Sequence, residues 1–206
     1  GKFLETVSKG AYIQDIPADT ALAEYAPGQF EINLKHKPDP LTACDNAILL
    51  KRLIKGVAWN LGFQTTFMAK PYAKQAGSGM HIHVSLLNEE KKNIFMDSRS
   101  GTGSTTLHYA IGGMADTMAE SMAIFCPNTN SYRRFQPDLY VPMAPTWGLD
   151  NRTVALRVPT GQESNKRIEH RVSGADANPY LVVAAVLAGI YNGIKNEINP
   201  PEITMG

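Results

Sequence analysis

Lys70–Ser85, read KPYAKQAGSGMHIHVS, decides the fold. Its second half alternates strictly. Met80, Ile82 and Val84, continued by Leu86, fall on one side, and His81, His83 and Ser85 on the other. A period of two marks a strand with one face in a core and the other in a cleft or in water. Gly77 and Gly79 let the backbone approach a ligand where a Cβ would stand in the way. Two histidines and a serine on the open face suit a metal ligand, a phosphate contact or both. An exposed polar face behind a flexible hairpin is the plainer reading of the same residues.

Upstream, Ala26-Pro27-Gly28 is a turn signal. Phe30, Ile32 and Leu34 then alternate with Gln29, Glu31 and Asn33, which predicts a strand with Glu31 on its polar face. Glu24 stands just before the turn, so the two carboxylates either converge on a cation or sit on a solvated hairpin. A helix follows Asp39-Pro40, with Thr42 as its N-cap, Leu53, Val57 and Leu61 on its apolar stripe and Gly62 at its end. Residues 64–69 read as a strand, and residues 3–8 as a short helix.

Downstream, residues 88–104 are polar and rich in Gly and Ser, hence a loop. A helix is expected over Thr105–Phe125, with a Met114, Met118 and Met122 stripe in the core. Residues 151–158 read as a strand. Arg167, Glu169 and Arg171 alternate with Ile168, His170 and Val172, placing an Arg-Glu-Arg row on one strand face. Asn178-Pro179 opens a last helix running to about Ile194, with small residues for close packing. A proline-rich end follows.

The chain has 206 residues, 43% hydrophobic and 19% charged, enough for one large or two small domains with a packed core. A net charge of +1 argues against nucleic acid or a membrane surface as a partner. Two cysteines, Cys44 and Cys126, without a Cys-x-x-Cys, suggest reduced thiols and a cytoplasmic setting. The apolar stretch 180–194 is too short to span a bilayer.

The polar faces together carry Glu24, Glu31 and Glu169, His81 and His83, and Arg152, Arg157, Arg167 and Arg171. Carboxylates with an imidazole suit a hard divalent cation, and arginines clamp phosphates and carboxylates bidentately. Such a cleft suits phosphoryl transfer onto an anionic substrate. Neither a P-loop nor a kinase glycine loop is present.

On these residues the chain resembles the catalytic domain of the glutamine synthetase family. KPYAKQAGSGMHIHVS is similar to that family's ATP-binding signature. EYAPGQFE at 24–31, NRTVALRVP at 151–159 and RIEHR with NPYL at 167–181 follow in the family's order. The resemblance implies an α+β fold: a curved, mostly antiparallel sheet forming part of a barrel, with helices outside. It implies a first Mg²⁺ or Mn²⁺ on Glu24 and Glu31, and a second on His81 and Glu169. ATP, as substrate, would lie near Leu34, His36, His83, Ser85 and Arg167. Glutamate would be bound by Gly77, Arg134, Arg152 and Arg171, and Arg157 would face the transferred phosphoryl group. ATP would phosphorylate the glutamate side chain, and an amine would then displace phosphate.

Two departures follow. A Glu-x-Glu pair, a small N-terminal β-grasp domain and a C-terminal tail that the family carries are missing. The expectation is an internal piece of one catalytic domain, inactive and self-associating on its own, from a homo-oligomeric parent. The family's glutamate six residues after the Arg134 position is replaced by Tyr140, within RRFQPDLYVP. A phenol suits an ammonium site poorly and can line a slot for an alkyl amine. This resembles the γ-glutamylputrescine and γ-glutamylpolyamine synthetase branch, with polyamine catabolism as setting. Glutamine synthetase itself is the second reading, and a catalytically inactive structural or regulatory member the third.

Overall fold

The computed structural model describes residues 1–97, 99–137 and 140–205, with Glu163 by its backbone only. The chain divides into two compact units, residues 1–67 with 74–76 and residues 68–73 with 77–206. Each is described by itself.

The first unit holds helix α1 (Lys2–Ile13), strands β1 (Ala18–Ala23) and β2 (Phe30–Leu34), and helix α2 (Pro40–Asn60). Its core is Val7, Ala11, Ile16, Leu50, Leu53 and Val57, with Ile32 and Leu34 of β2 packed against it. A two-stranded ribbon is marginal alone, and these apolar contacts hold it. α1 runs well past the expected residues 3–8. Tertiary burial of Val7 and Ala11 extends it where local periodicity is weak. β1 was unforeseen; it pairs antiparallel with β2, Leu22 opposite Glu31, with a register shift between Ala18 and Ala21. Asp39, not Thr42, caps α2. Its carboxylate accepts from the Thr42 N–H at 2.8 Å, and Pro40 fills the first helical position, where no N–H is needed. Gly62, at φ +76, ends the helix as expected. Residues 64–69 form no strand.

The second unit holds β3 (Ile82–Val84), α3 (Thr105–Asp116), short helices α4 (Met122–Phe125) and α5 (Thr129–Tyr132), β4 (Trp147–Leu149), β5 (Leu156–Val158), β6 (Ile168–His170) and α6 (Pro179–Lys195). Its open sheet has the order β3-β6-β5-β4, antiparallel except for β4 with β5. The α+β, mostly antiparallel expectation holds. The expected strand over 151–158 contracts to its last three residues. Asn151 instead accepts from the N–H and hydroxyl of Thr153, folding the start into a turn.

The single helix expected over 105–125 is two. Where α3 ends, the Thr117 hydroxyl and its own N–H both donate to the Gly113 carbonyl, at 2.9 and 3.1 Å. Met114 and Met118 lie in the core with Phe95, Leu107, Leu156 and Val186, as the stripe implied. α3 and α6 meet through glycines. A Cβ on Gly113 would run into the Gly189 carbonyl and the Gly193 backbone. Backbone cannot step aside as a side chain can, so Gly113→Ala is expected to lower stability by about 2 kcal/mol or more in denaturant titration. A variant within about 0.5 kcal/mol of the parent would show that the helices can part cheaply. No helix among the described residues is long and apolar enough to cross a membrane.

Candidate active site

Strand register assembles the site. His83 of β3 lies opposite Glu169 of β6, and Glu169 opposite Arg157 of β5. The neighbouring row, Ile82, His170 and Leu156, carries the opposite parity and turns toward the core, where the His170 ring packs tilted against Phe125, centroids 4.5 Å apart. His83, Glu169 and Arg157 therefore share one face.

Glu169 is the hub, only 3% exposed. Arg157 Nη1 donates to its Oε2 at 2.8 Å, and Arg171 Nη1 to its Oε1 at 2.6 Å. His81 Nδ1 stands 3.1 Å from Oε1, and His83 Nε2 4.0 Å from it. Burial would raise the carboxyl pKa. The hydrogen bonds from His81 and Arg157 and the charge of Arg171 outweigh that and hold it far below the usual range. His83 is pushed down to about 4, chiefly by burial, with Glu169 opposing in part and Arg167 adding to the fall. It is neutral at pH 7, and its Nδ1 accepts from Arg167 Nε at 3.0 Å. His170 is likewise lowered to about 3 by complete burial.

A backing layer fixes this face. Arg134 does not reach the open side. It is 3% exposed, and its Nη1 and Nη2 donate to the carbonyls of Val172 and Arg171. Burial lowers its pKa to about 10, still charged at neutral pH. A Cβ on Gly77 would meet the Arg134 side chain and the Ala69 carbonyl, so that glycine makes room for the arginine itself. The segment leading into Arg134 is anchored twice. The Asn130 side chain pairs with both backbone groups of Lys70 at 2.9 and 2.8 Å. Asp176 accepts from Asn128 and Ser131 at 2.8 and 2.6 Å. Sequence reasoning missed these anchors, because asparagine and serine in a loop carry no distinctive spacing.

Tyr140 is exposed, with φ 52, and its carbonyl accepts from Arg171 Nη2 at 3.4 Å. Ser85 and Arg152 are exposed and stand outside the hydrogen-bonded group. Arg152 lies in the turn before β5, which supplies the bend that a five-residue separation from Arg157 demands. Glu24, Glu31, Leu34 and His36 belong to the first unit. Leu34 packs on that unit's core and His36 is exposed. Since Leu22 pairs with Glu31, strand parity puts Glu24 and Glu31 on the same face of the hairpin, on a diagonal.

The donors suit a divalent cation in kind. An imidazole beside a carboxylate fits manganese or magnesium with waters, and His81 Nδ1 and Glu169 Oε1 lie side by side, 3.1 Å apart. Among the described residues no group of three or more His, Cys, Asp or Glu is gathered to hold a metal ion.

The chain matches the family described as "Glutamine synthetase, catalytic domain" over residues 1–206. It is 53% identical over 195 residues to gamma-glutamylputrescine synthetase PuuA of Escherichia coli (strain K12), covering 95% of this chain and 41% of that protein. It is 40% identical over 199 residues to a glutamate–isopropylamine ligase of a Pseudomonas species, covering 95% and 43%. Among solved structures, a GmaS/ADP complex superposes with a TM-score of 0.89 at 29% identity, over 98% of this chain and 47% of the other. The chain thus spans about two fifths of the length of these curated relatives.

Proposed function

We infer the function from one premise: the chain belongs to the glutamine synthetase family, through its catalytic domain. The full-length protein is an ATP-dependent ligase that joins an amine to the γ-carboxylate of glutamate. The observation that carries this reading is the in-register row His83, Glu169 and Arg157, closed by Arg171. It sets guanidiniums on rigid strands around one buried carboxylate, the preorganised charge that phosphoryl transfer requires.

In the first step a γ-carboxylate oxygen of glutamate attacks the γ-phosphorus of ATP, the bond to the β-phosphate oxygen breaks, and ADP leaves. Arg157 opposes the charge gathering on the transferred group, and Arg167 with His83 lines the nucleotide side. In the second step the amine lone pair attacks the acyl carbon, phosphate leaves with the C–O electrons, and the nitrogen sheds a proton. His81 and Glu169 would hold one divalent ion and Glu24 and Glu31 another, and such ions supply further charge neutralisation. Leu34, His36 and Ser85 are assigned to ATP, and Gly77, Arg152 and Arg171 to glutamate. Arg134, its donors committed to carbonyls, shapes the glutamate pocket from behind. The protein is a cytoplasmic homo-oligomer in this reading.

Relatives named for putrescine and isopropylamine, together with Tyr140 at the position of the family's ammonium-site glutamate, favour an alkyl amine over ammonium. The test is ADP release by the full-length protein with ATP, magnesium and glutamate, putrescine against ammonium. A preference of about 10²-fold for putrescine supports the amine branch. A preference for ammonium returns the protein to the glutamine synthetases. No release with any amine overturns the ligase reading.

A further inference from the structure

β4 ends at Leu149, and Asp150 follows it in the left-handed region, φ 46. Apart from glycine, Asn and Asp tolerate that conformation best. The Asp150 N–H donates to the Val158 carbonyl at 3.1 Å, tying the residue to the strand that carries Arg157. Its Oδ1 accepts from Arg157 Nη2 at 2.6 Å, and its Oδ2 accepts from the Thr160 hydroxyl. The same guanidinium gives Nη1 to Glu169 Oε2, so it is stretched between two carboxylates, one at each end. Its Nε is buried without a hydrogen-bond partner.

A guanidinium beside a single carboxylate closes on both oxygens as a fork. Here the fork is held open, because Asp150 takes the nitrogen that would complete it. We propose that Asp150 is a positioning residue for Arg157. It keeps the guanidinium on one Glu169 oxygen and in the orientation that serves the transferred phosphoryl group. Thr160 acts through Asp150 by fixing its second oxygen. This inference rests on the role given to Arg157 above.

The test uses the full-length enzyme. Asp150→Asn keeps the size and the tolerance of left-handed backbone and removes the charge. Its kcat is expected to fall about tenfold, with KM for glutamate and for the amine within about twofold and thermal stability nearly unchanged. Thr160→Val should lose less, and adding it to Asp150→Asn should cost nothing more, because the hydroxyl then has no charged partner to hold. An unchanged kcat in Asp150→Asn, or losses that simply multiply in the double variant, overturns the proposal. Arg157→Lys separates the two levels. If it lowers kcat while Asp150→Asn does not, only the positioning role fails. If neither does, the role of Arg157 fails with it.

Discussion

Glu169→Gln in the full-length protein is expected to reduce kcat by about 10²- to 10³-fold and to destabilise the fold by about 3 to 5 kcal/mol. The substitution keeps the shape and removes the one anion that Arg157 and Arg171 share. Both arginines are largely buried, with 17% and 8% of their side-chain surface exposed. Arg157 would keep only Asp150, and Arg171 would face an amide whose own N–H₂ also donates. Breaking a buried pair from one side costs more than the pair contributes, because the stranded charge cannot return to water. The effect has a pH signature. The Glu169 carboxyl is held below its ordinary value of 4.5, so its stabilisation is complete above that pH and is lost as pH falls below it. Denaturant titration of parent and variant should therefore show a gap that is widest near neutrality and shrinks toward acid. Parent-like turnover in Glu169→Gln would remove this residue from the reaction. A gap independent of pH would remove the ionised carboxylate from the stability argument.

Replacing Tyr140 by glutamate should move substrate preference toward ammonium by roughly 10²-fold. A carboxylate attracts a small cation strongly once water is displaced, whereas a phenol offers only a dipole and a π face. The same carboxylate interferes with an apolar alkyl stem, since its desolvation is then uncompensated. The Tyr140 backbone already adopts a left-handed φ of 52 and is tied to Arg171 through its carbonyl, so the change is confined to the side chain. The measurement is the ratio of kcat/KM for putrescine to that for ammonium in parent and variant. An unchanged ratio would locate amine selection at other residues. A collapse of both activities with Arg171 still folded in place would instead give Tyr140 a part in the chemistry itself.

Much of the candidate site was legible in local pattern. The alternation around His81 and His83, and again around Glu169, separated the faces correctly: Met80, Ile82, Val84 and Leu86 pack on the core, and His170 is buried. The openings of α2 and α6 were legible because Asp39-Pro40 and Asn178-Pro179 satisfy helix ends locally, although the cap of α2 is Asp39 rather than Thr42. Strand length was not legible. Residues 64–69 and 151–155 have the composition of strands but form none, and in the second stretch Asn151 folds the chain into a turn. Nor was the break after Asp116, where the Thr117 hydroxyl joins its own N–H on the Gly113 carbonyl. Arg134 turned inward for a reason that lies 37 and 38 residues away in the chain, at the carbonyls of Arg171 and Val172. Asp150 left no trace in the sequence, because an aspartate after a strand is an ordinary turn residue.

The sequence by itself determined which side chains share a face, since the pleat of a strand and the caps of a helix are set by neighbours a few bonds apart. Only the tertiary structure decided that His83, Glu169 and Arg157 fall into one row, and that Asp150 reaches the far end of the same guanidinium. Register between strands is chosen by hydrogen bonds and core packing across dozens of residues. A slip of one position would have turned Glu169 into the core and His170 to the open face.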